Sequence, residues 1–136
     1  MDVNELLFKV HDDARGHLVA IEEEKDIPFQ IKRIYYIYNV MEGAVRGLHA
    51  HKSLKQLLIC IHGKCTVVLD DGKEKITVEL GNPNLGLYIS NAIWREMADF
   101  SSDAVLLVLA SEHYDENDYI RDYKEFLQFV KESEDK

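Results

Sequence analysis

The sequence predicts an all-β fold, an antiparallel sandwich or barrel, with one helix at its C-terminal end. Turn residues recur about every ten residues, which is typical of antiparallel sheets. At 136 residues the chain has the length of one domain. Its apolar residues recur with period two in short β-branched or aromatic runs: KRIYYIYNV, LKQLLICIHG, KCTVVLDDG, KEKITVELG, LGLYIS and AVLLVLA.

Turns and a change of period mark the individual elements. The sequence DDGK at Asp70–Lys73 predicts a hairpin, because glycine can adopt a positive φ, and HGK at residues 62–64 predicts a second tight corner. From Asp115 the apolar residues fall at helical spacing, and the polar DEN start suits a helix N-terminus. We therefore expect a single domain over residues 1–136, with the barrel over about 5–112 and a short helix over about 116–132.

Composition excludes several classes of function. The net charge of −9 argues against nucleic-acid binding, which needs a basic surface. No apolar run is long enough to cross a bilayer, and the N-terminus lacks the pattern of a signal peptide, so we expect a cytoplasmic protein without a membrane segment. Cys60 and Cys65 form no zinc motif and are expected to be buried, reduced thiols.

Two histidines at strand spacing are the main candidates for chemistry. His49 and His51 lie in RGLHAHKSLKQ, and residues two apart in a strand point to the same face. Imidazoles titrate near neutrality and are suited to moving protons. Alternatively, the pair lies on an exposed strand face or makes a structural hydrogen bond.

This stretch resembles the first metal-binding motif of the cupin superfamily. Gly43, the two histidines and Gly63 match the motif's spacing, but Gln56 stands where a glutamate ligand is expected. In SNAIWREM, which is similar to the second motif, Arg95 takes the place of the histidine ligand. Because arginine repels a dication and a glutamine amide is neutral, we expect no metal.

A closer resemblance covers about four fifths of the chain in order. The sequence is similar to the sugar-nucleotide 3,4-ketoisomerases, whose fold is a cupin-type antiparallel β-barrel, or jelly roll. This resemblance implies a metal-independent isomerase without a cofactor, which moves the ketone of dTDP-4-keto-6-deoxy-D-glucose from carbon 4 to carbon 3 in dTDP-amino-deoxysugar biosynthesis. It is carried by these segments: ARGHLVAIEE, IPFQIKRIYYIYNV, RGLHAHKSLKQLLICIHG, VVLDDG, GLYISNAIWREM, DFSSDAVLLVLAS and YDENDYIRDY.

The resemblance also assigns the catalytic histidines. It implies His51 as the base at carbon 3 and His49 as the partner that relays or supplies the second proton, although neighbours on one face could exchange these roles. Arg33, Tyr35 and Arg46 are candidates for supporting the enediolate or the pyrophosphate. Ordinary strand and surface roles remain open for all three.

Further candidates come from the N-terminal turn and from the later strands. DARG resembles a turn of related deoxysugar cupins in which the arginine, here Arg15, holds nucleotide phosphates. Arg95 stands where members that form galacto products have histidine, which favours a gluco product, with His17 acting beside it. Tyr88 and Trp94 are candidates for stacking on the substrate, with core packing as the alternative.

The resemblance implies a homodimer with exchanged N-terminal strands, which would also protect an open sheet edge. Two other functions remain open. One is a sugar-nucleotide-binding cupin without catalysis, and the other is a dTDP-sugar 3,5-epimerase, which pairs a histidine base with a tyrosine acid.

Overall fold

The structure is a computed structural model that describes residues 1–135. These residues form two five-stranded antiparallel sheets, one two-stranded hairpin and one α-helix. The elements in chain order are β1 (Val3–Leu7), β2 (His11–Asp13), β3 (Gly16–Leu18), β4 (Arg33–Tyr38), β5 (Arg46–His51), β6 (Gln56–His62), β7 (Cys65–Asp70), β8 (Lys75–Leu80), β9 (Leu85–Ile89), β10 (Trp94–Ala98), β11 (Val105–Ala110), a 3₁₀ turn (Glu116–Asp118), β12 (Tyr119–Ile120) and α1 (Tyr123–Glu134).

The two sheets pack face to face around the main core. The strand order is β1-β9-β6-β11-β4 in the first sheet and β12-β5-β10-β7-β8 in the second. Alternate residues of both sheets meet between them, as in Leu58 and Val108 of the first sheet against Val67 and Leu69 of the second. The period-two pattern of the sequence is therefore the pattern of a sandwich with one buried face on each sheet. The predicted all-β fold with a C-terminal helix is confirmed.

Each sheet is also covered on part of its outer face. Phe8, Ile27 and Phe29, from segments outside the sheets, pack on the first sheet against residues that include Leu57 and Tyr88. Helix α1 covers the second sheet by packing Phe126 against Trp94, Ala50 and Ile120. These contacts explain why several strands are apolar on both faces.

Both predicted turns are present. Gly72 adopts φ +93° in the turn that joins β7 and β8 of one sheet. Gly63, with φ +69°, lies at the corner where the chain passes from β6 in the first sheet to β7 in the second.

The helix begins later than the sequence pattern predicts. Residues 116–120 form a 3₁₀ turn and then the short strand β12, and α1 starts at Tyr123 after its N-cap Asp122. Asp122 accepts hydrogen bonds from the backbone N–H groups of Lys124 and Glu125. The chain is extended before this cap because Tyr119 and Ile120 pair with His51 and Ala50 of β5, a long-range contact that helical periodicity does not reveal.

Two smaller expectations can be compared with the structure. Cys60 and Cys65 are buried and free, as expected. No helix within residues 1–135 is long and apolar enough to cross a membrane.

Candidate active site

An open cavity of about 490 Å³ lies at one end of the sandwich, between the inner faces of the two sheets. Ligand cavities for molecules of a few hundred daltons fall in this range of volume. The first sheet contributes Arg33, Tyr35 and Ile37 from β4, and the second contributes residues of β5, β10 and β12. Three arginines line the cavity in a chain whose net charge is −9: Arg33, Arg46 and Arg121.

A β-bulge in β5 shapes the second wall of this cavity. Arg95 of β10 lies opposite His49, and Glu96 lies opposite Gly47, so Leu48 is an extra residue in β5. Gly47 and Leu48 both have positive φ, +86° and +57°. Directly opposed residues share a face, so the bulge brings Arg46 to the same side of the sheet as His49.

The two histidines meet at the inner end of the cavity. Their ring centroids are 4.8 Å apart and the rings are nearly perpendicular. His49 borders the cavity, whereas His51 is fully buried behind it and contacts Tyr119 at a ring distance of 4.4 Å. The predicted same-face arrangement is therefore present, and only His49 is directly at the cavity surface.

Hydrogen bonds define which ring nitrogens are free. Nδ1 of His49 donates to the carbonyl of Gly47 at 2.9 Å, and Nδ1 of His51 donates to the Asp118 carboxylate at 3.1 Å. Both Nε2 atoms are buried and have no hydrogen-bond partner among residues 1–135. With the proton on Nδ1, each Nε2 keeps a lone pair that can accept a proton.

Burial keeps both rings neutral. It lowers the pKa of His49 to about 4, with the Arg95 charge as the next cause. Burial and then Arg95 likewise lower the pKa of His51 to about 2. The Asp118 carboxylate acts in the opposite direction, because it favours the imidazolium form. At neutral pH the pair is therefore a pair of proton acceptors.

A buried polar chain runs beside the histidines. Arg95 is 1% exposed, and its guanidinium donates to Oε1 of Gln56 at 2.5 Å and to the carbonyl of Ile93 at 3.1 Å. Nε2 of Gln56 donates to the Tyr35 hydroxyl at 3.1 Å. Because the Tyr35 oxygen accepts this bond, its own proton remains available to a ligand in the cavity. Burial raises the pKa of Tyr35, so the hydroxyl stays protonated at neutral pH.

The residues at the cupin ligand positions do not suit a metal dication. Gln56 and Arg95 stand where two ligands would be, and they are hydrogen-bonded to each other. A permanently charged guanidinium beside two imidazoles repels a cation. Within residues 1–135 no group of three or more His, Cys, Asp and Glu is arranged to hold a metal.

Comparison with known protein families shows which family the chain belongs to. The sequence profile of the family described as FdtA, WxcM-like, C-terminal, matches residues 1–131. The chain belongs to this family.

Relatives of this WxcM-like chain have named activities. A curated TDP-4-oxo-6-deoxy-alpha-D-glucose-3,4-oxoisomerase from Aneurinibacillus thermoaerophilus is 54% identical over 123 residues, which cover 90% of this chain and 88% of the relative. The crystal structure of a 3,4-ketoisomerase from Helicobacter canadensis superposes with a TM-score of 0.94 at 53% identity, covering 96% of this chain and 98% of that one. A histidine-to-asparagine mutant of the 3,4-ketoisomerase QdtA from Thermoanaerobacterium thermosaccharolyticum, in complex with TDP-4-keto-6-deoxyglucose, superposes with a TM-score of 0.94 at 47% identity, covering 96% of this chain and 95% of that one.

Most of the predicted site residues of this WxcM-like chain come together. His49, His51 and Arg95 meet at the inner end of the cavity, and Tyr35 reaches them through Gln56. Arg33 and Arg46 line the cavity itself.

Three predicted residues lie elsewhere in the single chain. Tyr88 packs against Phe29 in the core that covers the outer face of the first sheet and does not line this cavity. Arg15 and His17 lie on the exposed β2–β3 hairpin, where they contact Asp13 and Asp12, and neither lines the cavity.

Three residues of the site were not predicted from the sequence. Asp118, Tyr119 and Arg121 lie in YDENDYIRDY, which the pattern assigned to the start of the helix. Tyr119 contacts both histidines, and Arg121 lies over its ring at 4.2 Å. The useful signal was the density of acidic, aromatic and basic residues before the first regular helical turn.

Proposed function

We propose that this protein is a metal-independent 3,4-ketoisomerase that converts dTDP-4-keto-6-deoxy-D-glucose into a 3-keto isomer through an enediol. The observation that carries this proposal is the pair of buried, neutral imidazoles with free Nε2 atoms at the end of an arginine-lined cavity. The named activities of relatives at 54% and 53% identity support the same reaction class.

The reaction requires one base that removes a proton from carbon 3 and one donor that delivers a proton to the neighbouring carbon 4. In the proposed mechanism His51 removes the proton from carbon 3, and the electrons of that C–H bond form the double bond to carbon 4 while the carbon 4 oxygen takes a proton. The enediol then loses the proton of the carbon 3 hydroxyl as carbon 4 accepts one, which leaves a ketone at carbon 3. No electron leaves the substrate, so the balance needs no redox cofactor.

The two histidines have complementary places in this sequence of steps. Both begin as proton acceptors, so the proton taken by His51 must be returned by it or passed to its neighbour. His49 is adjacent at 4.8 Å and borders the cavity, which suits it to deliver the proton at carbon 4. The division of labour is part of the proposal, and it requires the sugar to enter deeply enough for carbon 3 to reach Nε2 of His51 behind the cavity surface.

Tyr35 and Arg95 are the proposed support for the charge that develops on the oxygens. The Tyr35 hydroxyl keeps its proton free for a substrate oxygen, while Gln56 holds it in place. Arg95 contributes a buried positive charge beside the imidazoles, and its Nε has no partner among residues 1–135. Charge in a water-poor site stabilises an enediolate more than charge in water does.

The pyrophosphate and nucleotide are proposed to lie toward the open end of the cavity. Arg33, Arg46 and Arg121 border it, and arginine is well matched to phosphate oxygens. This arrangement explains how a chain of net charge −9 would bind an anionic substrate.

We further propose a homodimer with exchanged N-terminal strands. In the single chain β1 pairs with β9, and an exchange would make the same pairing between subunits. The β2–β3 hairpin is exposed along both strands, and Arg15 is 91% exposed, so an exchange could carry Arg15 and His17 to the partner's cavity. We propose a cytoplasmic location as well, which is supported by the nucleotide-linked substrate of the proposed reaction.

The proposed product has the gluco configuration at carbon 4. Arg95, which stands in place of the histidine of galacto-producing enzymes, lies directly opposite His49 and so can influence the face from which carbon 4 is protonated. The face of carbon 4 that receives the proton decides between the gluco and the galacto product.

The deciding experiment is incubation with dTDP-4-keto-6-deoxy-D-glucose in deuterated water, followed by NMR of the sugar. We expect a 3-keto product with deuterium at carbon 4. Deuterium at carbon 5 would instead indicate an epimerase, and binding of the nucleotide sugar without exchange would indicate a non-catalytic cupin. Chelators should leave the rate unchanged, and stoichiometric zinc or iron in active protein would contradict the metal-independent mechanism.

A His51→Asn variant tests the base within the same assay. It should lose turnover while its affinity for dTDP stays close to that of the parent protein, because the base acts in the chemical step. His62→Asn is the matched control, since His62 is exposed and contacts Asp103 far along the sheet from the cavity. Equal loss in both variants, or full activity of His51→Asn, would contradict the assignment.

A further inference from the structure

Asp118 is held at the inner end of the site by three hydrogen bonds from backbone N–H groups of residues 52–54. Its Oδ1 accepts from the backbone N–H of Ser53 at 2.8 Å, and its Oδ2 accepts from that of Leu54 at 3.3 Å. Its backbone carbonyl accepts from the N–H of Lys52 at 2.9 Å. The carboxylate is thus locked onto the loop that follows β5, the strand that carries both histidines.

The same Oδ2 atom lies 3.1 Å from Nδ1 of His51. A carboxylate oxygen accepts hydrogen bonds and cannot donate one, so this contact requires the proton of neutral His51 to be on Nδ1. Nε2 is then left with its lone pair, and it is the ring atom without a partner among residues 1–135.

We propose that Asp118 is a positioning residue that holds His51 in the Nδ1–H tautomer, so that Nε2 is the atom that takes the proton from the substrate. This inference rests on the proposed isomerase function and adds a residue to it. Asp118 does not border the cavity and acts only through His51.

The groups around His51 show why a carboxylate is needed there. The ring is packed against His49 and Tyr119, and besides His49 the positive charges that act on it are those of Arg95, Arg33 and Arg121. All three arginines disfavour the imidazolium that forms when His51 accepts a proton. Asp118 is the hydrogen-bonded group that opposes them, so it both orients the ring and stabilises its protonated form.

Among residues 1–135, no carboxylate is hydrogen-bonded to the ring of His49. Its Nδ1 donates to the neutral carbonyl of Gly47. That contact selects the same tautomer but places no negative charge beside the ring. The two histidines are therefore not equivalent, although they lie two residues apart on the same face of β5.

The test is an Asp118→Asn variant examined by ¹⁵N NMR of its histidine rings and by steady-state kinetics. The new side chain has one acceptor oxygen and cannot accept from Ser53, Leu54 and His51 at once. In the orientation that keeps the shorter bond from Ser53, its NH₂ group replaces Oδ2, gives up the longer bond from Leu54, faces Nδ1 of His51 and moves the proton to Nε2. In the parent protein at pH 7 we expect a protonated Nδ1 and an unprotonated Nε2 for His51, with the signals assigned by their loss in His51→Asn. In Asp118→Asn we expect the reverse, with kcat lower by roughly 10²- to 10⁴-fold and KM nearly unchanged, as for the equivalent change in a catalytic triad.

Asp103→Asn is the matched control, because Asp103 also contacts a histidine Nδ1, that of His62 at 3.5 Å, but on the exposed surface. It should retain parental kcat. A proton on Nε2 of His51 in the parent protein would overturn the proposal, and so would parental kcat in a folded Asp118→Asn protein. If that variant does not fold, the tautomer in the parent protein decides alone. Absence of isomerase turnover in the parent protein would instead reject the proposed function.

Discussion

Acidification should destabilise this protein through its two buried histidines, beginning well above the range in which carboxylates titrate. Burial lowers the pKa of His49 to about 4 and that of His51 to about 2, whereas an unfolded histidine titrates near pH 6.5. Below pH 6.5 the unfolded state therefore binds more protons than the folded state. Stability is fully present above that pH and is lost as the pH falls toward the folded pKa values.

The size of the effect follows from these values. At pH 5 an unfolded imidazole lies about 1.5 pH units below its pKa, and each unit corresponds to about 1.4 kcal/mol. Each buried histidine should thus cost about 2 kcal/mol between pH 7 and pH 5, and the pair about 4 kcal/mol. This is a large part of the 5–15 kcal/mol of stability that is usual for a domain, by the order-of-magnitude range known for folded proteins.

Urea unfolding at pH 7 and pH 5, at one fixed protein concentration, measures this loss. His49→Asn should show a drop in unfolding free energy that is smaller than that of the parent protein by about 2 kcal/mol, since one titrating group is gone. The exposed His62→Asn variant should retain the parental drop. Comparing variants cancels the contribution of every other group that titrates between these two pH values. An identical drop in parent and His49→Asn would refute the assignment of a buried, neutral imidazole.

Two further predictions concern the elements that hold the site. Phe126 is fully buried between α1 and the second sheet, so Phe126→Ala should lower the free energy of unfolding by about 3–5 kcal/mol, against about 0.5 kcal/mol or less for the exposed Gln128→Ala, as measured by urea unfolding. Gly47 has φ +86°, and an added Cβ would lie 3.0 Å from the Arg95 carbonyl oxygen. Gly47→Ala should therefore cost about 1–3 kcal/mol and reduce turnover by displacing His49. Gly43→Ala, at φ +80° with open space around it, should cost less, and an equal cost at both positions would show that the bulge is not tightly packed.

The C-terminal region shows where local sequence signals were insufficient. Two aspartates suit a helix start, and both are caps, Asp115 of the 3₁₀ turn and Asp122 of α1. The sequence pattern favours the earlier one as the helix start, because Tyr119 continues the apolar spacing. Pairing of Tyr119 with His51 in β5 outweighed that local preference and turned the segment into a wall of the site.

The N-terminal region shows a related limit. The DARG turn was identified from sequence, and the structure places Arg15 and His17 on an exposed hairpin, outside the cavity of the same chain. Under the proposed strand exchange, the cavity that this hairpin serves depends on how two copies of the chain are arranged. Local turn chemistry carries no information about that.

The sequence by itself determined an antiparallel sandwich or barrel of strands, the two central turns and the His49 and His51 pair, while the resemblance to the cupin motifs placed Gln56 and Arg95 at metal-ligand positions. These features follow from residue type and from spacings of two to a few residues, which act through local backbone geometry. Only the tertiary structure decided that the bulge at Leu48 turns Arg46 toward the cavity, that Gln56 links Arg95 to Tyr35, and that Asp118 lies behind His51. Each of these contacts depends on strand register or joins residues far apart in the chain, so it exists only once the two sheets and the 3₁₀ turn are in place.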